Sequence, residues 1–196
     1  ARFVENAVVV AFPQALGFAG AANAGARRAR GRILVFLNSD IRLLPGALAN
    51  LVGTLDAQGD AGICGGLVLM QDGRVQELGG QIRFNGSGAG RFRGVDPMAS
   101  DLPDREYVDY VSGCLLAVRR SLFLKLRGFA EAYNPGYYED TELCLRAWAA
   151  GHAVVATSRA AALHAEYSTF RRSLNGDLQV RRQMERNHRV FLRRNE

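Results

Sequence analysis

Short apolar runs separated by helical stretches constrain this chain more than any other feature of its sequence. Ala7–Phe12 (AVVVAF) and Ile33–Leu37 (ILVFL) are continuous apolar segments of strand length, and Ala61–Leu69 is a third. A run that is apolar at every position reads as a strand covered on both faces, since a half-exposed strand would alternate. Between the runs lie an Ala-rich helical stretch, Phe18–Arg30, ended by Gly31, and a second from Pro45 to Ala57. Proline is tolerated there because the first helical turn has no partner for its missing N–H. Strand, helix, strand, helix, strand predicts an α/β fold: a mostly parallel sheet with right-handed crossovers, flanked by helices.

The pattern then changes. Asp72-Gly73 signals a hairpin between Leu67–Met70 and Val75–Leu78. Gly79–Asp104, rich in Gly, Pro, Ser and Asp, reads as a long loop, a feature that is functional or mobile in compact domains. Cys114–Val118 predicts a strand, Arg120–Leu126 a short helix stopped by Gly128, and Glu139–Ala150 a helix closed by Gly151. On that helix Leu143/Ala147 and Cys144/Trp148 share the apolar side, with Glu142 and Arg146 pairing on the wet face. Strands at Ala153–Ala156 and Ala160–Leu163 and a basic helix complete the reading. With no linker or internal repeat, residues 1–196 predict a single domain.

Composition narrows the function classes. With 48% hydrophobic and 22% charged residues the chain is globular, and no apolar run approaches the roughly 18–20 residues of a membrane helix. Cys64, Cys114 and Cys144 form no CxxC pair, which predicts small buried thiols in a reducing compartment rather than disulfides or a zinc site. The net charge of +6 is concentrated late, at Arg171, Arg172, Arg181, Arg182, Arg186, Arg189, Arg193 and Arg194. No aromatic stacking platform accompanies these arginines, which argues against nucleic acid and leaves acidic lipid or a phosphorylated ligand as the anionic partner.

Two acidic sites stand out. Asp40 follows the strand ILVFL directly, after Asn38 and Ser39, and ligands of open α/β sheets bind beyond the carboxyl ends of strands. A carboxylate there suits Mg2+ or Mn2+ bridging two phosphate oxygens, although a helix-capping Asp ahead of Pro45 would look the same. Glu139, Asp140 and Glu142 crowd one helical turn behind Tyr137 and Tyr138. The helix dipole favours carboxylates there, while the aromatic lead-in suits a pocket wall whose acid accepts a proton from a hydroxyl. His164 ends an apolar run, a place where a hydrogen-bonded structural His is also common. Gly17–Gly25 is glycine-rich but fits neither the dinucleotide nor the P-loop pattern.

In order, these segments resemble the family-2 inverting glycosyltransferases of the GT-A fold, particularly the rhamnosyltransferase-like branch. Leu16-Gly17-Phe18-Ala19-Gly20 with Asn23 and Gly25 resembles that family's N-L-G-F-A-x-x-x-N-x-G segment. Val35–Asp40 resembles its FLNSD form of the metal-binding DxD motif. Gly113–Arg119, Gly128-Phe129, Tyr138-Glu139-Asp140, Leu143 and Arg146 follow its G-x-x-x-x-x-R … E-D-x-D-L-x-x-R region, and Arg186-Asn187 its late RN. The match runs from about Phe12 to Arg194.

The resemblance implies a sugar moved from a nucleotide diphosphate donor to a hydroxyl of a saccharide or lipid-linked acceptor, in polysaccharide or cell-envelope synthesis. It implies Asp140 as general base supported by Glu139, and Gly17, Phe18, Asn23, Asn38 and Asp40 on the donor and diphosphate. It further implies Asp40 and His164 at a Mg2+ or Mn2+ ion, and Tyr137 and Tyr138 on the acceptor side. Residues 1–70 would then be the donor half, 71–170 the acceptor-side half, and 171–196 a basic helix. The expected location is cytoplasmic, peripheral at the inner face of the plasma membrane. The family's opening P-x-Y-N strand and D-x-G-S-T-D segment do not occur here, and Ala15 and Ala130 depart from its pattern. A chain truncated at its amino end is therefore expected. A non-catalytic nucleotide- or carbohydrate-binding module derived from such an enzyme is the alternative.

Overall fold

The computed structural model describes residues 7–57, 59–165 and 177–195. Helices α1 (Gly17–Arg28) and α2 (Ala47–Ala57) accompany strands β1 (Ile33–Leu37), β2 (Ile41–Leu43) and β3 (Ala61–Leu69). Strands β4 (Val75–Leu78), β5 (Gly80–Ile82), β6 (Gly88–Gly90), β7 (Glu106–Tyr107) and β8 (Leu115–Arg119) follow, then helix α3 (Arg120–Lys125). A 3-10 turn at Glu131–Tyr133 leads to α4 (Glu139–Ala149), β9 (Ala153–His164) and α5 (Asp177–Arg194).

The α/β class is as expected, but the sheet is mixed rather than mostly parallel. Its order is β1-β8-β3-β9-β2, with β4 on β3 and β7 on β9. Only β3–β9 pairs in parallel among the described strands; β1–β8, β3–β8, β3–β4 and β2–β9 are antiparallel. The parallel expectation treated consecutive apolar runs as neighbours. Instead β8, from much later in the chain, inserts between β1 and β3 and runs against both.

Three local expectations change as well. Ala7–Phe12 is not a strand: Val8 and Val9 are 72% and 76% exposed, and no ladder includes them. An apolar run becomes a strand only where a sheet edge receives it, and among the described residues nothing pairs with the outer edge of β1. The two late strands are one, β9, whose register against β3 slips between Thr157 and Ala161. Gly79–Asp104 is not structureless, since Gly80–Ile82 and Gly88–Gly90 form a small antiparallel hairpin.

Every residue of β3 is buried because both faces of the sheet are covered. Alternate side chains feed opposite clusters, as a pleated strand requires. Ile63, Leu116, Val118, Phe123, Phe129 and Leu143 pack on the side of α1, α3 and α4. Cys64, Val68, Leu115 and Val155 pack beneath Leu51 and Leu55 of α2, both fully buried. All three cysteines are free and buried, and burial pushes the Cys64 thiol up to about 12.

Candidate active site

Strand register brings the first acid to its histidine. In the β2–β9 ladder Ile41 stands opposite His164, so Asp40, one residue earlier, lies beside the end of β9. The Ala165 N–H donates to the Asp40 carbonyl at 3.0 Å. Asp40 Oδ1 is then 3.3 Å from His164 Nε2, with the two side chains only 14% and 9% exposed. Asn38 Nδ2 reaches the same His164 nitrogen at 3.5 Å. On the far side of the ring, Nδ1 is 2.9 Å from Gln76 Oε1 on β4. When Nδ1–H donates to that oxygen, the neutral ring presents the Nε2 lone pair to the carboxylate. Two acceptors face one another across 3.3 Å, an arrangement that a shared cation satisfies. Neighbouring ligands of an octahedral ion with bonds of about 2.1 Å stand roughly 3 Å apart, so the pair fits Mg2+ or Mn2+. An open cleft of about 450 Å3 lies over it, lined by Asp40, Ile41, Arg42, Gln71, Leu163 and His164. Among the described residues no third His, Cys, Asp or Glu joins the pair. A Mg2+ ion commonly completes its shell with water and substrate phosphate oxygens.

The second acid sits across a short turn. The Asn38 N–H donates to the Cys114 carbonyl at 3.2 Å, and the Gly113 N–H donates to Asp140 Oδ2 at 2.9 Å. Ser112-Gly113-Cys114 thus joins the end of β1 to the start of α4. Burial raises the Cys114 thiol, and the charges of Glu77, Asp140 and Asp40 raise it further, so these carboxylates lie within Coulomb reach of one sulfur. Gly113 must be small here, since a Cβ would lie 2.8 Å from the Phe18 ring.

Burial raises the pKa of Asp140, while bonds from Gly113, the Thr141 N–H (2.7 Å) and the Thr141 hydroxyl (3.3 Å) oppose the rise. Glu139 is 5% exposed, and among the described residues its Oε2 has no hydrogen-bond partner. Burial first, and the Asp140 charge second, push Glu139 well above the carboxylate range. Asp140 therefore gives up its proton first. The Asp140 charge also reaches Tyr110, Cys114 and Cys144, all raised first by burial and neutral where carboxylates titrate.

The remaining expected site residues lie on α1 and on the segment that leads into α4. Gly17 has φ +68°, and a Cβ there would lie 2.6 Å from Asn134 Oδ1. The Phe18 N–H donates to the Pro135 carbonyl at 2.9 Å, and its ring packs edge-on against Phe129. Asn23, expected on the donor, is buried and exchanges two 2.9 Å bonds with the Phe129 backbone. These residues lock α1 onto the segment before α4. Tyr137 is half-buried, and Tyr138 packs against Tyr133, His188 and Phe191. Glu142 pairs with Arg146 at 3.5 Å as expected, but it is buried rather than on the wet face, and Arg194 of α5 reaches it at 2.7 Å. Arg171 and Arg172 lie outside the described residues. Sequence reading missed Gln76 and gave Asn187 no role. Asn187 does carry a signal, because it shares one helical stripe with Val180 and Phe191.

Residues 2–126 match the family model described as Glycosyl transferase family 2. The uncharacterized protein y4gI of Sinorhizobium fredii is 28% identical over 156 residues, 74% of this chain and 16% of its own length. The O-antigen biosynthesis protein RfbC of Myxococcus xanthus is 30% identical over 156 residues, 76% of this chain and 12% of its own. The chain thus spans less than a fifth of either relative. Among solved structures, GalNAc-T7 with UDP, GalNAc and Mn2+ superposes with TM-score 0.63 at 15% identity, over 79% of this chain and 31% of that one. The mannosyltransferase PcManGT from Pyrobaculum calidifontis, in complex with GDP-Man and Mn2+, gives 0.50 at 16% identity, over 78% and 37%. At such identities the likeness is one of fold, the GT-A fold.

Proposed function

The chain belongs to glycosyl transferase family 2, and from that premise we propose that it forms the catalytic core of an inverting, divalent-cation-dependent sugar transferase. The donor is a nucleotide diphosphate sugar, of the rhamnosyltransferase-like branch by its FLNSD segment. The acceptor is a hydroxyl of a saccharide or lipid-linked carrier in polysaccharide and cell-envelope synthesis, a reading that the O-antigen biosynthesis relative supports. We read the whole chain as one such domain, although β9 from the acceptor-side half supplies His164 to the donor side. The observation that carries the reading is the Asp40–His164 pair at the sheet's end, with Asp140 held across the Ser112–Cys114 turn.

In this mechanism Asp40 and His164 would hold Mg2+ or Mn2+, and the bound ion would supply positive charge to offset that of the departing diphosphate. Asn38 shapes the turn that presents Asp40. Asp140 accepts the proton of the acceptor hydroxyl as its oxygen forms a bond to the anomeric carbon. The bond from that carbon to the diphosphate oxygen breaks on the opposite face, and the electron pair leaves with the nucleotide. One displacement inverts the configuration, through a transition state of oxocarbenium character. Burial makes Asp140 a stronger base than an exposed carboxylate, and Glu139, held neutral beside it, adds no competing charge. Tyr137 serves the acceptor side, while Tyr138 anchors the turn on α5.

General-base removal costs about 10^2–10^4-fold in rate. Asp140→Asn is therefore expected to lower kcat by that factor, with nucleoside diphosphate binding in Mn2+ unchanged within about twofold by calorimetry. Ordinary turnover by the variant would remove Asp140 from the role.

A further inference from the structure

Asn187 is the polar residue in the buried stripe of α5, between Val180 and Phe191, and it is fully buried. Its Nδ2 lies 2.6 Å from the Tyr133 carbonyl, 2.8 Å from that of Gly136 and 2.9 Å from that of Tyr137. Its Oδ1 accepts from Arg186 Nη1 at 2.8 Å, which settles which end of the amide donates. One NH2 group thus gathers three carbonyls of a single turn.

That turn would not hold itself. Tyr137 and Tyr138 have φ of +76° and +79°, left-handed values that crowd a Cβ against the following carbonyl. Such backbone persists only where its surroundings over-determine it. Helix α5 supplies the surroundings: besides Asn187, Gln183 Nε2 donates to the Asn134 carbonyl at 3.2 Å, and Arg194 reaches Glu142 at 2.7 Å. The residues that follow the strained pair are Glu139 and Asp140.

We infer that Asn187 is a positioning residue for the base. By closing the Tyr133–Tyr137 turn it fixes where α4 starts, and so where the Asp140 carboxylate sits against Gly113. This rests on the base assignment above. Asn187 touches neither donor nor acceptor; it acts through the turn.

Asn187→Asp keeps the size of the side chain but presents a second acceptor to three carbonyls. In the whole gene product it is expected to lower kcat about tenfold or more, leaving the donor KM and calorimetric nucleotide–Mn2+ affinity within about twofold. A loosened turn admits water to Asp140 and relaxes the burial that raises it, so the acid limb of the kcat–pH profile should move to lower pH. A residue that only stabilised the fold would lower the melting temperature and leave the acid limb of the folded enzyme in place. Should Asn187→Asp not fold, Arg186→Ala, at an exposed position, carries the test, with a smaller fall in kcat and the same direction of the limb. Asp140→Asn is measured alongside. An inactive Asp140→Asn beside an Asn187 or Arg186 variant with wild-type kcat and acid limb overturns this inference alone. Ordinary turnover by Asp140→Asn overturns the base assignment and this inference with it.

Discussion

A histidine serves a cation with the nitrogen that its other neighbour leaves free. His164 Nδ1 is occupied by Gln76 at 2.9 Å, and Nε2 is turned to Asp40. Partners of this kind, behind a ligand, commonly contribute 10–100-fold to metal affinity by fixing the tautomer and the ring. Gln76→Ala should therefore weaken Mn2+-dependent nucleotide binding by about that factor, read by calorimetry, while binding without metal is unchanged. Affinity equal to wild type would show that Gln76 does not set the ring. Asp40 and Asp140 stood out in the sequence as candidates because each follows a local signal, an apolar strand or an aromatic lead-in. Gln76 did not, because its role exists only once β4 folds back along β3 beside the end of β9. Asn23 has a structural task that its motif did not announce, since both ends of its amide are used by the Phe129 backbone.

Helix α4 shows how three carboxylates of one turn part company. Asp140 is held by N–H donors, Glu142 is paired with Arg146 and Arg194, and Glu139 has a buried oxygen without a hydrogen bond. The folded pKa of Glu139 lies above its unfolded one, so the native state binds its proton more tightly. The stability this gives is fully present below the unfolded value, about 4.3, and is lost as pH rises through the folded value. Glu139→Gln removes that loss. Its urea midpoint should match wild type near pH 4 and exceed it increasingly towards pH 8, and parallel profiles would refute the account. The helix itself was readable from Leu143, Cys144 and Ala147 at helical spacing, as were α1, α2 and the Asp72-Gly73 hairpin, all set by local chemistry. Strand partners were not. Nothing in ILVFL states that LLAVR, some eighty residues later, will lie antiparallel to it, and nothing in AVVVAF states whether a sheet edge is there to receive it.

The whole molecule carries a net charge of +6, and α5 sorts its share of that charge into two faces. Arg186 and Arg194 turn to the carbonyls before α4 and to Glu142. Arg181, Arg182, Arg189 and Arg193 are exposed, with Leu178 63% exposed beside them. One face fastens the turn before Asp140 and the other is exposed, so the arginine count in the sequence overstated the outward charge. No helix of the described residues is long and apolar enough to cross a membrane. Each arginine near an anionic bilayer strengthens binding roughly fivefold, and salt screens the effect. On this account the Arg182→Ala/Arg189→Ala/Arg193→Ala variant should bind phosphatidylserine-containing vesicles about a hundredfold more weakly than wild type in co-sedimentation. Turnover of a water-soluble acceptor should be unchanged, because none of the three touches the turn. Wild-type binding should itself fall steeply as salt rises past physiological strength. Equal sedimentation of the two proteins, or wild-type binding indifferent to salt, would assign the exposed arginines to solubility and leave α5 with its inner face as its only function.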